Sequence, residues 1–148
     1  MQHVRRCRLT FLLILLASPF LAGCSGKGKP KIYPVAGRVM HGEQPVAGAR
    51  VTFHSLPGHA APNIDRYPTG RTDKDGYFRL TTNEEGDGAP AGNYKVLVVW
   101  PLVPGRSDGS GEGEEGDKLE GRYASPESSS IEAEVKPSAN TLSPFVVQ

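Results

Sequence analysis

Tyr94-Lys95-Val96-Leu97-Val98-Val99-Trp100 is the stretch on which the reading of this chain turns. In an extended backbone, Tyr94, Val96, Val98 and Trp100 share one face and Leu97 and Val99 the other, so both faces are largely apolar. β-Branched and aromatic residues suit a pleated backbone. A strand that is apolar on both sides belongs in the middle of a sheet. Residues 90–93, Pro-Ala-Gly-Asn, precede it as a turn. Trp100 ends the run and is expected to pack on the core there, the alternative being an aromatic that binds a ligand.

Upstream, Gly70-Arg71-Thr72 leads into Asp73-Lys74-Asp75-Gly76 and then Tyr77-Phe78-Arg79-Leu80-Thr81. Asp-Gly between extended segments predicts a hairpin turn, because glycine reaches positive φ freely and aspartate bonds back to nearby amides. Asp-x-Asp-Gly also echoes part of a calcium loop, but the later ligands, including the closing glutamate, have no convincing counterpart. Further upstream, 35–41 has the alternation of a strand that Gly42-Glu43-Gln44-Pro45 breaks. Ala49, Val51 and Phe53 then alternate with Arg50, Thr52 and His54, the period of a half-buried strand. These two strands are expected to pair as a hairpin. Residues 55–68 carry three prolines and no period, and read as a loop.

Downstream the chain changes character. Residues 101–118 hold glycine, serine and five acids, Asp108, Glu112, Glu114, Glu115 and Asp117, with almost nothing apolar after Val103. Such a segment buries too little surface to offset the entropy of ordering, so a mobile acidic surface loop is expected, with a cation or basic-partner site as the alternative. Deleting 107–117 should then barely move the melting temperature. Ile131, Ala133 and Val135 alternate with Glu132, Glu134 and Lys136 as a further half-buried strand. Residues 141–148 supply a last one, and Pro144 suggests that it runs along an edge.

The front of the chain is of another kind. Arg5, Arg6 and Arg8 precede an apolar run of 13 residues, 9–21, and then Leu21-Ala22-Gly23-Cys24. That run fits a secretory signal core of about 7 to 15 residues, whereas a spanning helix needs about 20. The four residues ending in Cys24 resemble a bacterial lipobox, which implies cleavage before Cys24 and a diacylglyceryl group on its sulfur. The domains expected are thus a signal peptide over 1–23, a lipidated tether over 24–32 (Ser-Gly-Lys-Gly-Lys-Pro-Lys over 25–31), and one β domain over 33–148. Two or three acyl chains exceed what stable attachment requires, and Ser25 after the cysteine favours the outer membrane over inner-membrane retention.

Composition agrees with one small domain. Cleavage would remove three arginines from 17 basic residues and leave 14 against 16 acidic ones, a charge of about −2. No basic footprint for a nucleic acid remains. Cys7 would leave with the signal and Cys24 would be acylated, so the mature chain has no structural disulfide. Glycine (18) and proline (13) point to many short strands joined by turns.

The motifs together resemble the carboxypeptidase regulatory-like group of transthyretin-type β-sandwiches. Four carry it, over about 35–100: Val35-x-Gly37-x-Val39; Pro45-Val46-x-Gly48-Ala49-x-Val51-x-Phe53; Thr72-Asp73-x-Asp75-Gly76-x-Phe78-x-Leu80; and Pro90-x-Gly92-x-Tyr94-x-Val96. With the lipobox, Tyr123-x-x-Pro126 and the Val135 strand, the whole is similar to small planctomycete lipoproteins. The resemblance implies an all-β, seven-stranded antiparallel transthyretin/prealbumin-like sandwich, and it implies no catalysis or cofactor.

The expected function is a membrane-anchored, non-enzymatic binding or structural module of the bacterial cell envelope. It would sit on the periplasmic face of the outer membrane or the cell surface, its partner being an envelope protein or polysaccharide. The alternatives are a transthyretin-like hydrolase or a calcium-binding protein. One branch of the fold hydrolyses a purine breakdown product, but its closing Tyr-Arg-Gly-Ser has no counterpart in Pro144-Phe145-Val146-Val147-Gln148. His41, His54 and His59 could meet as a metal or catalytic cluster, yet no carboxylate or cysteine stands beside them at zinc spacing. No site residue other than Cys24 is expected. Cys24→Ser is predicted to abolish membrane attachment, and mass spectrometry should find an acylated Cys24 as the mature N-terminus.

Overall fold

Alternating apolar residues have produced strands wherever a face could be buried. The computed structural model describes residues 29–58, 66–102 and 116–148, with no helix among them. The signal segment, Cys24, His59 and most of the acidic stretch lie outside the described residues. The strands are β1 (Ile32–Tyr33), β2 (Val35–His41), β3 (Gln44–Pro45), β4 (Arg50–Ser55), β5 (Thr69–Arg71), β6 (Tyr77–Arg79), β7 (Ala89–Pro90), β8 (Gly92–Val99), β9 (Glu132–Val135), β10 (Asn140–Thr141) and β11 (Phe145–Val147). The first begins one residue before the expected domain start.

One sheet runs β5-β4-β8-β9, antiparallel throughout. As its composition required, β8 is internal, with Tyr94, Val96 and Val98 fully buried. β1 and β7 pair with each other as a short antiparallel ribbon, while a second sheet is built on β2. Antiparallel β3 and β6 line one side of it, and β10 and β11 line the other. The inner faces meet in one core, where Val35, Val39, Phe78, Phe145 and Val147 of the β2 sheet pack against Val51, Phe53, Tyr94, Val96, Val98 and Val135 of the other.

The expected hairpin between 35–41 and 49–54 is not formed. β2 instead turns at Gly42 (φ +59°) and pairs with the two residues of β3. The chain then crosses to the opposite sheet through Val46 and Ala49, which have no exposed surface. Each strand has one apolar face, and facing each other across the core buries both faces, which lying side by side does not. The crossing is tied to Thr72. Gly48 N–H donates to its carbonyl at 3.0 Å, its own N–H donates to Ala49 O at 2.9 Å, and its hydroxyl accepts from Ala49 N at 2.8 Å.

The turn over 73–76 forms as its residues predict. Gly76 has φ +80° and donates to Asp73 O at 3.1 Å, while Asp73 Oδ1 accepts from the amides of Asp75 and Tyr77, each at 2.9 Å. Its flanks belong to different sheets, however, β5 to one and β6 to the other. The turn is a corner between layers, closed further along by the reciprocal bonds of Thr69 and Thr81 at 2.9 and 2.8 Å.

The C-terminal strand departs from the antiparallel expectation, because β10 and β11 both run parallel to β2. Residue 140 pairs with 35, but 145 pairs with 39, so the last strand holds one residue more than β2 over this stretch. This is a bulge. Pro144 sits in it, where an absent N–H costs no ladder bond, and among the described residues the strand is the sheet's edge.

Tyr94 adds a polar tie within the core, its hydroxyl donating to Pro90 O at 2.8 Å. Burial pushes this phenol up from its ordinary pKa, against the opposing hydrogen bond with the Ser55 side chain. A Cβ at Gly76 would lie 2.6 Å from Val39 O, whereas one at Gly42 meets nothing within 4 Å. Gly76→Val is therefore predicted to cost about 2 kcal/mol or more and Gly42→Ala about 1 kcal/mol, from left-handed strain alone in the second case. Urea unfolding of the two variants measures the difference.

Candidate functional site

Side chains that do not fit between the sheets end on their outer faces, and one outer face is concave. On β2 the buried positions alternate with Ala36, Arg38 and Met40, and on β6 Phe78 points inward between Tyr77 and Arg79. A groove of about 510 Å³ runs over Ala36, Arg38, Tyr77 and Arg79. Arg38, Tyr77 and Arg79 line it, Arg71 and Asp73 flank it beyond β6, and Leu142 and Pro144 of the bulge form the other wall.

Its geometry is set by register. Arg38 stands directly opposite Tyr77, and its guanidinium lies 4.8 Å from that ring's centroid. Arg38 Nε donates to Asp75 O at 2.9 Å, which draws the side chain toward the turn. Arg79 stands opposite Ala36, whose methyl group leaves open space over the sheet. Arg71 Nη1 donates to Gly48 O at 3.4 Å. Asp73, the acid of the groove, has Oδ1 committed to the turn amides. The arrangement offers fixed positive charge, an exposed phenol ring and a short apolar wall.

The acidic stretch proves to be anchored at its base. Asp117 Oδ1 accepts from Trp100 N at 2.9 Å and Leu119 N at 3.0 Å, and Oδ2 accepts from Gly121 N at 3.1 Å. Backbone bonds from Leu102 N to Gly116 O and from Lys118 N to Trp100 O, both 2.8 Å, close the neck. Of the expected loop 101–118, both ends are thus paired structure, and 103–115 lies outside the described residues. Asp117 is a capping group, which corrects the expectation that 107–117 can be deleted freely. Trp100 packs against the core at the strand end, as expected, and the Lys118 ammonium lies 4.5 Å from its ring centroid.

A second carboxylate also serves the backbone. Asp87 accepts from the amides of Thr82 (2.7 Å), Asn83 and Glu84 (both 3.0 Å). Burial pushes the Asp87 carboxyl up, but the amides of Thr82, Glu84, Asn83 and Gly88 outweigh it and hold it below the usual carboxylate range. Asp87 therefore stabilises its turn above the ordinary carboxylate pKa and ceases to do so as pH falls through the lowered value.

The histidines do not gather. His41 lies 6.0 Å from Trp100, while His54 pairs with Lys95 and stacks on Tyr67 at 4.5 Å. Lys95 and Trp100 are five positions apart along β8, about 16 Å, so the two histidines sit at opposite ends of the sandwich. His59 lies outside the described residues. Among the described residues no group of three or more His, Cys, Asp or Glu is placed to hold a metal ion, and no helix is long and apolar enough to cross a membrane.

No protein-family model, curated protein or solved structure matches the chain.

The groove was missed in the sequence because its arginines come from separate segments that only strand pairing joins. A signal was present, since Arg38 and Arg79 occupy the polar positions of otherwise apolar alternations. At the acidic stretch, Asp117→Ala is predicted to cost about 1 to 3 kcal/mol, since it leaves three amides without their acceptor. Deleting 107–115 alone should shift the melting temperature by no more than about 2 °C, because closure entropy depends only weakly on the number of residues between two fixed ends. Differential scanning calorimetry on both variants checks the contrast.

Proposed function

We propose that this chain is a bacterial envelope lipoprotein, held to a membrane through an acyl group on Cys24, whose β-sandwich is a non-catalytic binding or structural module. The observation that carries the module reading is the groove over β2 and β6. What it presents is guanidinium charge, one phenol ring and an apolar wall, which suits holding a ligand. Its position on an exposed sheet face also leaves it open to solvent, whereas chemistry gains from a site that excludes water.

The transthyretin-type reading is supported by strand count and by the use made of the motif residues. Seven strands remain when the two-residue β1, β3 and β7 are set aside and β10 and β11 are taken as one bulged strand, three in the β2 sheet and four in the other. Gly37 leaves room for Phe78, whose ring would lie 2.6 Å from a Cβ there. Gly48 turns at φ +77° into the crossing, and Gly76 makes the corner. Three of the four motif glycines thus have a local steric reason.

The anchor reading sets a distance. Ile32, where β1 begins, lies eight positions after Cys24, and a fully extended chain spans at most about 29 Å over them. The sandwich would stay close to the membrane that holds it, facing the polymers and proteins of the envelope. Full-length chain purified in detergent is predicted to turn over no ester, peptide or purine-derived amide substrate. Turnover that disappears on substituting Arg79 would overturn the module reading in favour of the hydrolase.

A further inference from the structure

We propose that the groove over β2 and β6 binds a carboxylate-bearing polysaccharide, a chain of uronate-type sugars. This rests on the binding-module reading and is independent of the anchor.

Two guanidinium groups carry it. Arg79 projects from β6 over Ala36, and none of the ion pairs or side-chain hydrogen bonds among the described residues involves it. Arg38 uses Nε on the Asp75 carbonyl and keeps its terminal nitrogens for a ligand, while the contact with Tyr77 holds its plane in place. Asp73 cannot neutralise both, and one of its oxygens already accepts two amides. A positive groove on a domain otherwise slightly acidic calls for an anion, and a planar guanidinium fork matches a carboxylate bidentately.

Spacing favours a polymer over a single ion. Arg38 and Arg79 are diagonal neighbours on adjacent strands, about 7 to 8 Å apart at the backbone, and Arg38 is drawn away from Arg79 toward the turn. Each is thus placed to take its own carboxylate. Between them lies Tyr77, 53% exposed, and opposite stands an apolar edge made by Pro144 and by Leu142, which also packs against the core. A ligand that repeats carboxylates along a chain with apolar C–H faces satisfies both features. An acyl lipid headgroup offers the charge without that repeat.

The test is affinity electrophoresis of the full chain, in non-ionic detergent, through native gels containing polygalacturonate or neutral dextran. Polygalacturonate is expected to retard the chain and dextran to leave it unretarded, with retardation falling as salt rises. Arg38→Gln and Arg79→Gln should each weaken the apparent affinity by roughly tenfold or more, the effect of losing one charged hydrogen bond. Arg122→Gln, an exposed change away from the groove, should leave it intact. Circular dichroism and melting curves establish that each variant is folded. Equal retardation of wild type and both groove variants would overturn the inference, as would none at all. Binding of the Cys24→Ser chain to phosphatidylglycerol vesicles in preference to polygalacturonate would also overturn it, and would assign the groove to lipid. These outcomes leave the module reading standing, whereas depolymerisation of polygalacturonate by the chain would overturn that reading instead.

Discussion

The ring of Phe53 holds the two sheets together. It has no exposed surface, and it lies 5.5 Å from Tyr94 in its own sheet and 6.5 and 6.4 Å from Phe78 and Phe145 in the other. Aromatic pairs at such separations add about 0.5 to 1.5 kcal/mol each beyond the area they bury. Much of the local structure exists to let these rings meet. Gly37 has no Cβ because Phe78 occupies that space, and the bulge before Phe145 brings its ring into line with β2. Tyr94 can enter the same cluster because the Pro90 carbonyl satisfies its hydroxyl there.

The same strands that turn these rings inward turn the groove residues outward. Phe78 stands between Tyr77 and Arg79, so packing the first places the other two on the solvent face with fixed spacing. The corner over 73–76 then performs two tasks with one set of atoms. It connects the sheets, and its Asp75 carbonyl restrains Arg38 over Tyr77. The backbone of the surface we propose is therefore set by the core behind it, and Arg38 is held over Tyr77 before any ligand arrives, which lowers the entropy lost in binding there.

Carboxylates in this protein divide by use. Asp73, Asp87 and Asp117 each accept several backbone amides and so behave as caps for turns, not as free charges. Asp117 belongs by composition to the acidic stretch but by bonding to the neck beneath it. A reading by charge alone assigns it to the wrong group.

Much was legible without coordinates. The patterns of 94–100, 35–41 and 49–54 determined strands, with a buried face named for 49–54, Asp73 and Gly76 determined a turn at positive φ, and Trp100 packs against the core at its strand end. Local rules suffice for these, because side-chain period and backbone sterics act within a few residues. Pairing is another matter. That 35–41 faces 49–54 across the core, that the last strand runs parallel to β2 around a bulge, and that Arg38 and Arg79 share one groove were decided only in the tertiary structure. Either arrangement of two one-sided strands satisfies their local pattern, and the choice is made by how much apolar surface the whole chain can bury at once.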